Sequence, residues 1–217
     1  MRRYILLTAI IALYIVNVQA QNFKETLQKT FLAFDTTQNQ QVKQEQSNRL
    51  SMIAKKWNSE WATHYYAAYS KIMLSYDEKE EAKKDAYLDE ADKELDETVS
   101  LLGKANDETY VIAAMIANAR MAVNPMNRWQ KYGKVFSENM DKAKAINPDN
   151  PRMYLIQGIS KFYTPKAFGG GKKPSLPYFE KAGGLYAKEK SDDISKPFWG
   201  KYTNNFFLEQ CKIEDKE

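Results

Sequence analysis

The chain is predicted to be all-α, with its helices in antiparallel pairs. Three observations lead there. Apolar residues recur three and four positions apart along nearly all of the sequence after Gln21, the spacing of one helix face. Glycine and proline number only 9 and 7 of 217, too few for a turn-rich β-sandwich. No stretch alternates convincingly enough to read as a strand. With 28% charged and 43% hydrophobic residues, the chain falls in the globular class, neither disordered nor membrane-embedded.

The first twenty residues stand outside that fold. Met1-Arg2-Arg3 is basic, Tyr4 to Val16 is apolar but for Thr8, and Val18-Gln19-Ala20 offers small residues where a signal peptidase reads them. This is the pattern of a secretory leader, cleaved between Ala20 and Gln21. Its apolar run is shorter than the roughly 20 residues of a membrane span, so no stable insertion is expected after cleavage. The sole cysteine is Cys211, so none stands at the cut site to carry a lipid. The mature chain is read as exported, to the periplasm first and to the medium second.

Composition then excludes several functions. Losing Arg2 and Arg3 leaves 30 basic and 28 acidic residues, a net of +2, which is no footprint for nucleic acid. One cysteine forms neither an intramolecular disulfide nor a CxxC metal site, and one histidine builds no multi-histidine zinc site. No metal, no cofactor and no catalytic constellation are expected, and the protein is read as not an enzyme.

The helices follow in order. Residues 22–36 carry Phe23, Leu27, Phe31 and Phe34 on one face; residues 40–56 carry Val42, Leu50 and Ile53, with Trp57 just beyond. Residues 59–76 hold Trp61, Tyr65, Ala68, Tyr69 and Ile72, and residues 78–102 form a long charged helix that Gly103 ends. Asp107 is a plausible N-cap for 108–123, and Asn124-Pro125 stops that helix. Residues 127–146 run to the break at Asn147-Pro148, and Pro151 suits the first turn of the next helix, which Thr164-Pro165 closes. Phe168-Gly169-Gly170-Gly171-Lys172-Lys173 reads as a loop, Ser175 to Lys190 as a helix, and Trp199 to Lys212 as the last.

An aromatic stands near the start of every second helix: Trp61, Tyr110, Tyr154 and Trp199, separated by 49, 44 and 45 residues. Gly158 follows Tyr154 by four, Phe179 and Ala182 lie three apart in the partner helix, and Asn147-Pro148 closes the preceding copy. This arrangement resembles the tetratricopeptide repeat, in a degenerate form longer than its usual 34 residues or so. With the leader and Phe162-Tyr163-Thr164-Pro165 followed by Phe168-Gly169-Gly170-Gly171-Lys172, the chain is similar to exported tetratricopeptide-like proteins of Gram-negative envelopes. The resemblance implies a single domain over 21–217, stacked as an α-solenoid. A helix pair at 22–57 would be followed by three units over 58–190 and a capping helix within 191–217.

The resemblance also implies a concave groove lined by the first helix of each unit. Carried onto this sequence, its positions are Ser59, Ala62, Tyr66 and Tyr69, then Glu108, Val111, Met115 and Asn118, then Arg152, Leu155, Ile159 and Phe162. Tyr66, Tyr69, Met115, Asn118, Arg152, Leu155, Ile159 and Phe162 are the residues expected to meet a partner there. Phe168, Gly169, Gly170, Gly171 and Lys172 form a second contact loop. The alternative is that these side chains pack against the terminal helices as ordinary core.

Other candidates are weaker. The glycine loop lacks the spacing and preceding strand of a P-loop. Glu60 and His64 lie four apart on one helix face without a nucleophile beside them. Tyr65-Tyr66 and Phe206-Phe207 point in different directions, so one of each pair is free to be core and the other an exposed contact. Cys211 is compatible with burial or with a cross-link between two chains. The function expected is an exported, non-catalytic scaffold that binds an envelope protein or peptide. The alternative is a carrier of a small molecule or lipid, held between helices among apolar side chains with few polar anchors.

Overall fold

The computed structural model describes residues 23–189 and 193–213; the predicted leader, residues 1–20, lies outside them. Helix α1 is described over 23–36. Several later helices start or stop on local chemistry. The Asn39 carboxamide accepts the Val42 N–H and opens α2 (Gln40–Lys56). α3 (Trp61–Asp77) and α4 (Glu81–Leu102) follow, and Gly103 ends α4 in the left-handed region at φ 73°. α5 (Asp107–Val123) is capped by Asn106 rather than Asp107, because Asn106 and Thr109 exchange side-chain and backbone hydrogen bonds. Asp107 falls in the first turn, where a carboxylate meets the positive end of the helix dipole.

Pro125 and Pro151 both stand at the start of helices, α6 (Pro125–Ile146) and α7 (Pro151–Tyr163), each under an asparagine cap. A 3-10 turn over Lys166–Phe168 leads into α8 (Lys172–Tyr186). α8 starts earlier than Ser175 because Pro174 sits in its first turn, where the backbone N–H has no helical partner to lose. α9 (Lys201–Lys212) begins after Trp199, not at it.

α3 packs on α4, α5 on α6 and α7 on α8, while α3, α5 and α7 touch in succession. The paired packing is as expected. The open solenoid is not found, because both ends of the chain close over the face that α3, α5 and α7 would have left open. From α1, the Phe31 ring lies 4.4 Å from Tyr66 and 5.8 Å from Tyr69, and Phe34 lies 6.4 Å from Tyr69. From the other end, residues 193–200 form a strap with Ile194 and Trp199 buried. Phe198 of that strap meets Phe31 at 5.6 Å, and the Tyr66 hydroxyl donates to the Lys196 carbonyl at 2.9 Å.

One apolar core therefore runs from Phe23 to Phe207. The physical reason is the character of the face itself. Tyr66, Tyr69, Met115 and Leu155 carry so much apolar surface, at about 25 cal/mol per Å², that covering it with α1 and the strap outweighs leaving it in water. The tetratricopeptide register fails at the same place. Trp199 belongs to the strap and precedes α9, so it does not begin a fourth copy. The fold is a compact bundle of paired helices.

Candidate ligand-binding site

The residues expected to line a groove divide into two groups, with Asn118 apart from both. Tyr66, Tyr69, Met115, Arg152 and Leu155 are buried and are spoken for. Tyr69 donates to Asp35 Oδ1 at 3.4 Å. Arg152 binds both oxygens of Glu108 through Nε, at 2.9 and 3.0 Å, and Glu189 Oε1 at 2.8 Å. Burial pushes the Glu108 carboxyl above its usual value, although the Arg152 guanidinium opposes the shift. That cluster is internal structure. Asn118 is half-buried and donates to the Tyr76 hydroxyl at 3.1 Å. Ile159 and Phe162 form the second group, half-buried on the last two turns of α7.

Phe162 leads to the most aromatic exposed surface of the described residues. Tyr163 is 71% exposed, Phe168 78%, Tyr202 80% and Phe206 51%. Side chains of this size are costly to leave in water, and a cluster of them marks a binding surface. Beneath lies a fixed base. Phe207 is buried and stacks on Phe179 at 5.1 Å and 8°. Around Phe207 stand Phe162 at 5.1 Å, Tyr163 at 6.1 Å and Phe206 at 5.3 Å, all edge-on. Tyr202 lies one helical turn before Phe206 on α9, hence on the same face.

Adjacent residues on a helix point about 100° apart, which separates Phe206 from Phe207 as the sequence led us to expect. Tyr65 and Tyr66 do not divide in this way. Both are buried, because α1 and the strap cover the second of them.

The glycine loop forms the rim of this platform. Gly169 and Gly171 take positive φ, 75° and 103°, and a Cβ on Gly170 would run into the Thr164 carbonyl. The three glycine N–H groups are used inside the loop, donating to the carbonyls of Lys166, Pro165 and Lys161 at 2.9, 3.2 and 3.0 Å. They offer no cradle for phosphate. The fold also turns Phe168 outward while keeping the loop tight against the end of α7.

Along α7, the glycine loop and the start of α8 the charge is one-sided. Residues 153–179 contain four lysines, Lys161, Lys166, Lys172 and Lys173, and neither aspartate nor glutamate. Lys172 donates to the Ile213 carbonyl at 2.9 Å.

The histidine and the cysteine lie away from the platform's rings. The His64 ring is buried and bonded through Nδ1 to Glu94 Oε2 at 2.6 Å, not to Glu60. Cys211 is half-buried, with Sγ 3.5 Å from both Ser175 Oγ and the Lys172 carbonyl. No group of three His, Cys, Asp or Glu side chains is placed to hold a metal ion among the described residues.

An open groove of about 380 Å³ lies among Asp92, Ala113, Ile116, Arg120, Tyr132 and Val135. Its cation, Arg120, is already bound to Asp89 and Asp92 at 2.7 and 2.6 Å. Of the platform, the sequence marks Phe162, Phe168 and Phe206 as contacts, whereas Tyr163 appears there only within a motif and Tyr202 not at all. Their signal is a tyrosine beside a core phenylalanine and another one turn before an exposed one.

The described residues form an all-α bundle that presents a surface of exposed aromatic rings, the character of a binding surface. No family model and no curated protein matches the chain. Among solved structures it is similar to the HusA haemophore from Porphyromonas gingivalis, with a TM-score of 0.74 and 33% sequence identity. The match covers 90% of this chain and 95% of the haemophore. The chain belongs to the HusA haemophore family.

Membership corrects the tetratricopeptide assignment and, with it, the reading as a scaffold for an envelope protein or peptide. The expected alternative, a small-molecule carrier, is the reading this relative supports. The protein is exported and non-catalytic, as the sequence reading had it.

Proposed function

We propose that the chain is a haem carrier and takes the porphyrin on the platform of Tyr163, Phe168, Tyr202 and Phe206. The observation that supports this most directly is the exposed aromatic cluster over Phe207, in a chain a third identical to a haemophore. Haem is a flat ring, apolar on both faces, with two carboxylates along one edge. Rings of Phe and Tyr stack on such a face or meet it edge-on, as aromatic pairs do. The lysines of the glycine loop and the start of α8 suit the acidic edge.

The chain's own residues fit the cargo in a further respect. Haem iron takes imidazole, thiolate, thioether or phenol ligands. His64 is turned onto Glu94 and Cys211 onto α8, whereas Tyr163 and Tyr202 present phenols at the platform. Holding the ring needs no enzyme chemistry. The platform shields one face of it from water, and release requires only that the next binder compete for that face.

Titration of the exported protein with haemin, followed in the Soret band, tests the reading. Saturable binding is expected, and a Tyr163→Ala/Phe206→Ala variant is expected to bind at least about 30-fold more weakly, since buried aromatic anchors are each worth about 2 kcal/mol or more. Failure of haemin to bind, or unchanged binding by the folded double variant, would overturn it.

A further inference from the structure

We propose that Asn204 is a positioning residue, whose buried amide holds α9 on α8 in the register that sets Phe207 against Phe179 and so places Tyr202 and Phe206. Its effect on cargo rests on the porphyrin reading above; its effect on the register does not. Asn204 is wholly buried in α9. Its Nδ2 donates to the Phe179 carbonyl at 3.0 Å, an oxygen with one lone pair for its own helix and a second to spare. Gly183, one turn on from Phe179, makes the approach possible. A Cβ there would stand 3.3 Å from Asn204 Nδ2 and 3.6 Å from Leu208 Cδ1.

The rest of the seam is far less directional. Phe207, Leu208 and Cys211 follow Asn204 by three, four and seven positions, on one face of α9. Phe207 stacks on Phe179, and Cys211 Sγ lies 3.5 Å from the Lys172 carbonyl at the other end of α8. Apolar burial has no preferred direction, so a slide of α9 by one turn, about 5.4 Å, would still bury these side chains. It would strand the amide, because a buried N–H without an acceptor is strongly unfavourable. Even in register the fit is incomplete, since Asn204 Oδ1 is buried and accepts no hydrogen bond among the described residues. An apolar side chain of the same size would be the more stable occupant. A buried polar group that costs stability while fixing one alignment is how paired helices specify register. Tyr202 and Phe206 stand two positions before and two after Asn204, on the opposite side of α9. Where Asn204 binds therefore decides where those rings stand relative to Tyr163.

The test pairs Asn204→Leu with Gly183→Ala, which keeps the amide but crowds it from α8. Melting temperature, haemin affinity and the NOE between the Phe179 and Phe207 rings are measured on the exported protein. Asn204→Leu is expected to melt no lower than wild type, yet to bind haemin about tenfold more weakly and to lose intensity in the ring-to-ring NOE. Gly183→Ala is expected to move affinity and NOE in the same direction. Wild-type haemin affinity in folded Asn204→Leu would overturn the proposal. So would weaker affinity with the NOE intact, because the amide would then act without holding α9 in place. If Asn204→Leu does not fold, Gly183→Ala decides by the same two readouts. If the wild-type protein binds no haemin, the porphyrin reading fails, and the NOEs of the two variants still test the register.

Discussion

The indole N–H of Trp199 donates to the Tyr65 hydroxyl at 2.9 Å, across 134 residues of sequence. That hydroxyl in turn donates to Glu108 Oε2 at 3.0 Å, and Glu108 is held by Arg152. The strap, α3, α5 and α7 are thereby tied through one buried chain of donors and acceptors. Burial drives the Tyr65 phenol well above its ordinary value, so it stays neutral and keeps its proton for Glu108. A buried charge pair is retained at low cost only where every remaining lone pair and proton finds a partner. Here Asn150 supplies another, donating to Glu108 Oε1 at 2.8 Å.

Trp199→Phe is expected to keep the ring in the core while removing the one donor that reaches Tyr65. A loss of about 1 kcal/mol should follow, and Trp199→Ala should lose about 3–5 kcal/mol by leaving a cavity as well. Urea denaturation measures both. Equal stability of Trp199→Phe and wild type would show that the Tyr65 hydroxyl finds another donor when the strap offers none.

A pH dependence follows from His64. Its hydrogen bond to Glu94 raises the imidazole above 6.5, against the opposing effect of burial. The folded state therefore holds the proton more tightly than the unfolded chain does. The stabilisation is complete below pH 6.5 and fades as the pH rises through the folded value. Melting temperatures from pH 5 to 9 should show wild type losing up to a few degrees over that window, since a pair of this kind is worth about 1 kcal/mol at most. His64→Gln should remove that part of the slope. A variant with the wild-type slope would place the pH dependence in other groups.

How much of this was legible in the sequence depends on whether the deciding contact is local. Gly103, Asn124-Pro125 and Pro151 each mark a helix boundary through groups within one turn of themselves, and all three were readable. The Asn106 cap was missed by one residue because Asp107 also caps well, and only the exchange with Thr109 decides between them. What fills the face of α3, α5 and α7 was not readable. It requires Phe31 and Phe198, which lie at opposite ends of the sequence, to meet on Tyr66. The same closure turned Tyr66, Tyr69, Met115, Arg152 and Leu155 into core and left the end of α7 exposed. Phe162 and Phe168 pointed toward that region. Tyr163 and Tyr202 come to it only through the packing of α9 on α8 and of Phe207 against the end of α7.

The platform's geometry depends on a glycine packed against the ring beneath it. A Cβ on Gly158 would meet Phe179 Cε1 at 2.6 Å and two more ring atoms at 2.9 and 3.0 Å. Phe179 is buried, and its ring stacks on Phe207, which carries Tyr163 and Phe206. Gly158→Ala therefore has no room to be absorbed locally, since the atom in the way is a packed ring rather than the far end of a flexible chain. It is expected to cost about 1–3 kcal/mol by overpacking and to weaken haemin binding by tilting Phe207. Gly184→Ala in α8 is the control. Nothing lies within 4 Å of its Cβ, so the change should stabilise by about 0.5–1 kcal/mol through the helix preference for alanine and leave haemin affinity as it is. Melting and haemin titration of the two variants separate the alternatives. If Gly158→Ala loses stability but binds haemin as wild type does, Phe207 is not the support on which the platform rests, and the binding surface lies away from the end of α7.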